Sequence, residues 1–92
     1  MGAGRRTYSA REEYLQAQKK AIPIALKRAG VTNHWYFYPT LGISSQMWRL
    51  YAKGICVIQP DLLFTRGRYN LTVRAFADSL YNEIWKILWE LY

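Results

Sequence analysis

The chain has 92 residues, enough for one small domain that would bury about 60 to 65% of its extended surface if it folded alone. Hydrophobic residues make up 51% of it and aromatic residues 16%, more apolar surface than so small a domain normally hides. We therefore expect part of that surface to meet a partner or lipid. The formal charge of +7 excludes an acidic disordered tail and points toward phosphate, RNA or anionic lipid surfaces.

Cysteine and histidine usage argues against two kinds of site. A single cysteine cannot build an internal disulfide framework, and with a single histidine it leaves a metal site short of its usual ligands. We interpret Cys56 as a buried inert thiol and His34 as an aromatic-packed or solvent-edge imidazole. No catalytic, cofactor-binding or metal-binding residue is predicted. An enzymatic function would need an active site completed by another chain.

The charge is distributed unevenly along the chain. Residues 1–74 carry 12 positive and three negative side chains, whereas residues 75–92 carry one positive and three negative. A basic N-terminal part followed by an apolar, slightly acidic C-terminal part is typical of a chain that lies across two environments. We expect residues 1–9 to form a flexible basic arm, because they contain two glycines and two arginines and no acidic residue.

A basic helix is predicted over residues 10–29. Ser9 and Glu12 have the spacing of a capping box, in which each side chain accepts the other residue's backbone N–H. Gly30, in the left-handed conformation, would end the helix. Pro23 removes one backbone hydrogen bond from its middle and should kink or split it, at a cost of about 3 kcal/mol if nothing compensates.

Residues 30–70 are predicted to form an aromatic connecting segment. Within it, residues 33–39 (NHWYFYP) contain four consecutive aromatics, which indicates a loop or extended stretch that packs against something. The β-branched run at residues 55–58 is isolated, so it is not sufficient to predict a sheet. Residues 61–69 are interpreted as a short apolar turn followed by a basic connector.

One short helix is predicted inside this connecting segment, over residues 46–53. Ser44 or Ser45 can cap its start, and Gly54 can end it. The helix would present apolar side chains on one side: Met47, Leu50 and Tyr51, with Trp48 beside them.

Residues 71–92 give the strongest periodic signal, a helix with Asn70 as its cap. One apolar stripe contains Phe76, Leu80, Ile84, Leu88 and Leu91, and its neighbour contains Ala77, Tyr81, Trp85, Trp89 and Tyr92. A narrow polar stripe contains Asp78, Asn82, Lys86 and Glu90, with Glu83 near its edge. Because so short a chain offers little else to cover the apolar stripes, we expect their core to be intermolecular. At about 33 Å the helix could cross a bilayer core of about 30 Å, but its charges disfavour insertion of a lone helix.

Two candidate surfaces follow from these patterns. A partner or lipid interface is predicted from aromatic and aliphatic side chains: Trp35, Tyr36, Phe37, Trp48, Tyr51, Phe76, Leu80, Tyr81, Ile84, Trp85, Leu88 and Trp89. A basic surface is predicted from Lys19, Lys20, Lys27, Arg28, Arg49, Lys53, Arg66 and Arg68. Cations beside aromatics can bind phosphate and stack bases, and the same cations suit anionic lipid headgroups or acidic proteins.

Two stretches of the chain carry a resemblance to a known family. Residues 18–28 (QKKAIPIALKR) are similar to a basic, alanine-rich stretch that ends in Leu-Lys-Arg, and residues 48–53 (WRLYAK) are similar to a Trp followed by Tyr-Ala-Arg. Ile55, Val57 and Pro60 then stand where the family has an apolar pair and a proline. Over roughly residues 16–73 the chain resembles the beta-subcomplex subunit 4 family, accessory subunits of complex I (NADH:ubiquinone oxidoreductase). Pro23 and the charges of the final segment depart from the family pattern.

The resemblance implies a small subunit without redox chemistry, catalytic residues or cofactors, held in the membrane arm of the mitochondrial enzyme for assembly and stability. We expect a mainly α, non-globular or extended chain of two to three helices, with a C-terminal helix able to associate with the inner membrane. Its partners would be other subunits of a respiratory complex and phospholipids. The alternative is a small mitochondrial ribosomal or other RNA-binding protein that stacks bases on Tyr36, Phe37 or Trp48.

Overall fold

The computed structural model describes residues 10–91, apart from the side chain of Leu91, and this part of the chain is mainly helical. Its elements are α1 (Ala10–Arg28), α2 (His34–Phe37), a 3-10 helix (Tyr38–Leu41), α3 (Ser45–Ala52), α4 (Pro60–Gly67) and α5 (Leu71–Leu91). No strand occurs within these residues. The expected mainly α class is confirmed. The expected number of helices is wrong, because α2 and α4 form where connecting segments were predicted.

Four predicted helix signals that fall on described residues are confirmed, and one of them is Gly54, which follows α3 with a φ of 72°. Gly30 follows α1 with a φ of 78°, the left-handed conformation that suits glycine. The Ser44 hydroxyl oxygen accepts the backbone N–H of Met47 at 3.2 Å. Asn70 Oδ1 accepts the backbone N–H of Thr72 at 3.0 Å. Each signal acts over three residues or fewer, so the local sequence is sufficient to specify it.

Pro23 was expected to kink or split the first helix, and the split does not occur, because α1 runs without a break across this residue. Pro23 and Lys19, whose carbonyl loses its usual intrahelical partner, are both exposed. Water can therefore hydrogen-bond that carbonyl on the outer side of the helix, where helices tolerate proline best. Ser9, the predicted cap of this helix, lies outside the described residues.

The aromatic stretch at residues 33–39 is helical rather than extended or a loop. Asn33 caps α2 by accepting the backbone N–H of Trp35 at 2.9 Å. Pro39 lies in the first turn of the following 3-10 helix, where its missing N–H costs little. Pro60 starts α4 in the same way, in a stretch predicted to be a turn and a connector. Asn33, Pro39 and Pro60 therefore lie at the beginnings of helices.

Helix α1 packs along α5, and α4 packs against another side of α5. The 3-10 helix and α3 add to this group, so the helices enclose one common core instead of forming an extended chain. Three alanines on one side of α1 are almost fully buried, which lets the helix backbones approach closely. Large apolar side chains that are fully buried come from four parts of the chain, namely the 3-10 helix, the segment before α4, α4 and α5: Leu41, Ile58, Leu63, Phe76, Leu80 and Ile84.

The irregular segment between α3 and α4, residues 53–59, is held by one buried polar side chain. Gln18 Nε2 donates to the carbonyl oxygens of Tyr51 at 3.0 Å and of Cys56 at 2.9 Å. Gln18 Oε1 accepts the backbone N–H of Ile58 at 3.0 Å. Both N–H groups and the oxygen of this amide are therefore used to fix the segment against α1.

Two glycines allow neighbouring backbones to come closer than any side chain would permit. A Cβ atom on Gly54, whose φ is 72°, would lie 2.7 Å from the Leu15 carbonyl oxygen of α1. A Cβ atom on the buried Gly67 would lie 3.1 Å from the Cα atom of Arg74 in α5. These close approaches set the distances of the 53–59 segment from α1 and of α4 from α5.

Candidate docking surface

Two tryptophans one turn apart are exposed on the outer side of α5. Trp85 is 66% exposed and Trp89 is 83% exposed. Leu71 is exposed on the same side of the helix, five turns before Trp89. Indole side chains bury large areas when they find a partner, so two adjacent exposed indoles indicate an interaction surface. We call Trp85 and Trp89 the aromatic face.

The charges around the aromatic face are balanced. Arg74 Nε lies 3.3 Å from Asp78 Oδ1, an i, i+4 ion pair. Lys86 and Glu90 also have opposite charges and are four residues apart. The exposed side of α5 therefore combines aromatic area with no net charge, a surface suited to binding by burial rather than by long-range attraction.

The opposite side of α5 is covered by the chain itself. Phe76, Leu80 and Ile84 are fully buried, and the ring centroid of Phe76 lies 5.0 Å from that of Phe37 in α2. The expected intermolecular core is therefore wrong for this stripe. Leu88, near the end of the stripe, is half-buried. The prediction failed because helical periodicity does not show how helices pack on one another: α1 lies along α5, and α4 and Phe37 add further cover.

The aromatic residues predicted for the interface in α2 and α3 divide into two groups. Phe37, Trp48 and Tyr51 are buried and belong to the core. Trp35 and Tyr36 are 54% and 80% exposed. Only the second group is available to a partner, so three of the five predicted interface residues in this region have a structural role.

Tyr81, also predicted for the interface, is half-buried and points inward. Its hydroxyl donates to the carbonyl oxygen of Ile58 at 3.1 Å, and its ring stacks on Phe64 with centroids 5.8 Å apart. Burial raises the pKa of the Tyr81 phenol well above its usual range, and the neighbouring phenols of Tyr14 and Tyr51 raise it further. This side chain joins α5 to the 53–59 segment and to α4.

All eight residues of the predicted basic surface are exposed: Lys19, Lys20, Lys27, Arg28, Arg49, Lys53, Arg66 and Arg68. The Arg28 guanidinium contacts Glu83, and the Arg66 guanidinium lies beside Gly42, in the space that a side chain there would take. Because α1 and α5 turn their buried sides toward each other, the lysines of α1 and the aromatic face point in opposite directions.

Glu83 is the residue whose position the sequence interpretation missed. It was placed at the edge of the polar stripe, but it is 6% exposed and paired with Arg28. A signal was available, since Glu83 follows Phe76 by seven residues and so lies on the same side of the helix. A carboxylate on an apolar side of a helix indicates a cationic partner on the neighbouring element.

His34 occupies the solvent-edge, aromatic-packed position expected for it. Its Nδ1 accepts the Trp48 Nε1–H at 2.9 Å, and its ring centroid lies 5.3 Å from that of Trp35. Cys56 is a free thiol but only half-buried, so the expectation of a buried thiol is wrong.

Within residues 10–91, no three His, Cys, Asp or Glu side chains come together in a way that could hold a metal ion. In the same part of the chain, none of the helices combines the length and the apolar character that a membrane crossing requires. No protein-family model, curated protein or solved structure matches the chain.

Proposed function

We propose that the chain is a non-catalytic accessory subunit of a mitochondrial inner-membrane respiratory complex, and that it joins its neighbours through the aromatic face. The observation that carries this proposal is the exposure of Trp85 and Trp89 on a helix whose other side is already covered. A tryptophan can bury about 150 to 250 Å². Covering both indoles would contribute about 5 kcal/mol or more before the costs of association.

The choice of complex I as the host rests on the resemblance carried by residues 16–73. In this proposal the subunit serves assembly and stability in the membrane arm. The aromatic face packs on a neighbouring subunit, while the lysines on the outer side of α1 lie along acidic subunit surfaces or phospholipid headgroups. Two different surfaces would thus contact two different environments.

A small mitochondrial ribosomal or other RNA-binding protein is the second candidate. The observation in its favour is that Trp35 and Tyr36 are exposed in a chain with many exposed cations. Phe37 and Trp48, which were also candidates for stacking on bases, are buried and would need the core to open. Trp35 and Tyr36 would therefore have to supply the stacking in this function.

The first experiment compares two pairs of exposed aromatics. A tagged chain carrying Trp85→Ala and Trp89→Ala is expressed in mitochondria, and the fraction that co-migrates with respiratory complexes is measured on a native gel. The matched control carries Trp35→Ala and Tyr36→Ala. We expect the first variant to be lost from the complex and the control to be retained, with unchanged unfolding temperatures for both purified proteins. Normal assembly of the Trp85 and Trp89 variant would refute the proposal.

The second experiment separates the two candidate functions by salt. RNA affinity falls with a log-log slope of about 0.7 per phosphate contacted on single strands, whereas aromatic burial depends little on salt. We expect the wild-type chain to stay in its complex at high salt and to be released by detergent. Mass spectrometry of the complex identifies the host. Release by moderate salt together with protection of an RNA segment would favour the ribosomal candidate.

A further inference from the structure

An open groove of about 450 Å³ runs between the C-terminal half of α1 and helix α3. This volume lies within the range of small-molecule sites. Its floor is apolar and includes Ile22, Leu26, Val31 and Trp48, while Lys27 and His34 line it from more exposed positions. Trp85 and Trp89 do not line the groove, so it is separate from the aromatic face.

The hydrogen bond between Trp48 and His34 decides what the imidazole offers to a ligand. Trp48 Nε1–H donates to His34 Nδ1 at 2.9 Å, so the neutral imidazole carries its proton on Nε2. Trp48 is almost fully buried and therefore a fixed anchor for the ring. His34 thus presents an N–H donor whose orientation is set by the core.

The charge of the groove favours an anion. Lys27 contributes an ammonium group, and no carboxylate side chain is present among the described residues that line the groove. The end of α1 is nearby, and its carbonyl oxygens would repel an anion. However, the N–H groups of Gly30 and Val31 already occupy the carbonyls of Lys27 and Leu26, at 3.1 and 2.9 Å, which weakens that repulsion.

We propose that this groove binds an aliphatic monocarboxylate of the fatty-acid class. The carboxylate accepts hydrogen bonds from Lys27 Nζ and from His34 Nε2–H, one for each oxygen. The aliphatic chain lies on Ile22, Leu26 and Val31. One ammonium and one N–H donor match the two oxygens and single charge of a carboxylate, whereas a phosphate group usually collects more donors than these.

The test uses the indole N–H signals of the ¹⁵N-labelled chain, in which four tryptophans give separate probes. Octanoate below its micelle concentration is titrated into the protein, with octanol and octylammonium as matched neutral and cationic ligands. We expect octanoate to shift the Trp48 indole signal in a saturable way. Octanol should bind about 100-fold more weakly, because it loses both charge-assisted hydrogen bonds. Octylammonium should not bind.

Two variants assign the carboxylate contacts. Lys27→Gln and His34→Gln should each weaken octanoate binding by about tenfold, since each removes one charge-assisted hydrogen bond. Lys20→Gln, an exposed lysine of α1 outside the groove, should leave the affinity unchanged. The proposal is overturned if octanoate fails to shift Trp48, if it shifts only Trp85 and Trp89, or if octanol binds as tightly. An unchanged affinity in the Lys27→Gln variant also overturns it.

Discussion

Arg28 at the end of α1 contacts the carboxylate of Glu83 in the middle of α5, and the two partners differ in exposure. The Glu83 side chain is 8% exposed, whereas the Arg28 side chain is 52% exposed. Loss of the arginine would leave a buried charge without a partner. Loss of the negative charge on Glu83 would leave a guanidinium that can turn toward water.

This asymmetry predicts unequal effects of two substitutions. Arg28→Met should lower the free energy of unfolding by about 2 to 4 kcal/mol, and Glu83→Gln by about 1 kcal/mol. Urea denaturation at neutral pH measures both values. Lys20→Met, on the exposed side of the same helix, is the control and should have little effect. Equal losses for Arg28→Met and Glu83→Gln would contradict the difference in burial.

Truncation of a side chain should lower the free energy of unfolding much more on the buried side of α5 than on its exposed side. Phe76→Ala should lower the free energy of unfolding by about 3 to 5 kcal/mol, because Phe76 is fully buried and its removal leaves a cavity. Trp85→Ala should change it by about 0.5 kcal/mol or less, as expected for an exposed side chain. Thermal unfolding of the purified chain checks this pair. Strong destabilisation by Trp85→Ala would show that the outer side of α5 is covered.

Gly54 and Gly30 form a matched pair of left-handed glycines with different surroundings. In the Gly30→Ala variant the added Cβ has no atom within 4 Å. The substitution should therefore lower the free energy of unfolding only by the strain of the left-handed backbone, about 1 to 2 kcal/mol. Alanine at Gly54 has the same strain and also places its Cβ 2.7 Å from the Leu15 carbonyl oxygen. We expect Gly54→Ala to be the more destabilising of the two in denaturant unfolding. Equal costs would mean that the 53–59 segment can move away from α1.

Stability should fall in alkaline solution. Burial raises the pKa of Tyr14, Tyr51 and Tyr81 in the folded chain, while the phenols of the unfolded chain titrate near pH 10. Below about pH 10 both states keep these protons, so the stability is fully present there. As the pH rises further, the unfolded chain releases them first, and stability is lost toward the folded pKa values.

The variant Tyr81→Phe tests this alkaline effect. It should cost about 1 kcal/mol near neutral pH, because the hydrogen bond to the Ile58 carbonyl is lost. Above about pH 10 its stability should fall less steeply than that of the wild-type chain, since one raised pKa is missing. Urea denaturation at several alkaline pH values measures the two slopes. If the stability of the variant and of the wild-type chain falls equally steeply with pH, Tyr81 does not contribute to the alkaline loss of stability.

Gln18 provides a prediction about buried polar groups. Gln18→Leu keeps the approximate volume but leaves the Cys56 carbonyl and the Ile58 N–H without their partner. The Tyr51 carbonyl loses one of its two hydrogen bonds and keeps the one from the Gly54 N–H at 3.1 Å. We expect a loss of about 3 to 5 kcal/mol in the free energy of unfolding, from unpaired groups that cost about 1 to 3 kcal/mol each. Gln16→Leu, an exposed glutamine of the same helix, is the control and should be nearly neutral.

The sequence was sufficient for features that depend on neighbouring residues. Gly30, Ser44 and Asn70 mark helix boundaries because the groups they satisfy are within three residues. The sequence was insufficient to predict α2, because an isolated helix of four residues is not stable in water. Phe37 of α2 packs on Phe76, a residue far away in the chain, and no local pattern contains that contact.

The same limit applies to the candidate docking surface. Trp48 and Trp85 both lie in amphipathic helices next to cationic side chains, yet one is buried and the other is exposed. The difference arises from which elements cover each helix. The apolar stripes of α5 together exceed half its circumference, so the periodicity alone could not decide which of them would face the core.

The bond between Gln18 and Ile58 has a consequence for local opening. The Ile58 N–H belongs to an irregular segment, where amide hydrogens usually exchange quickly with solvent, but it is held by a side chain 40 positions earlier. That hydrogen should exchange slowly, at a rate similar to the amides in the middle of α1. Residues 53–59 therefore belong to the same cooperative unfolding unit as the first helix, although they contain no helical turn of their own.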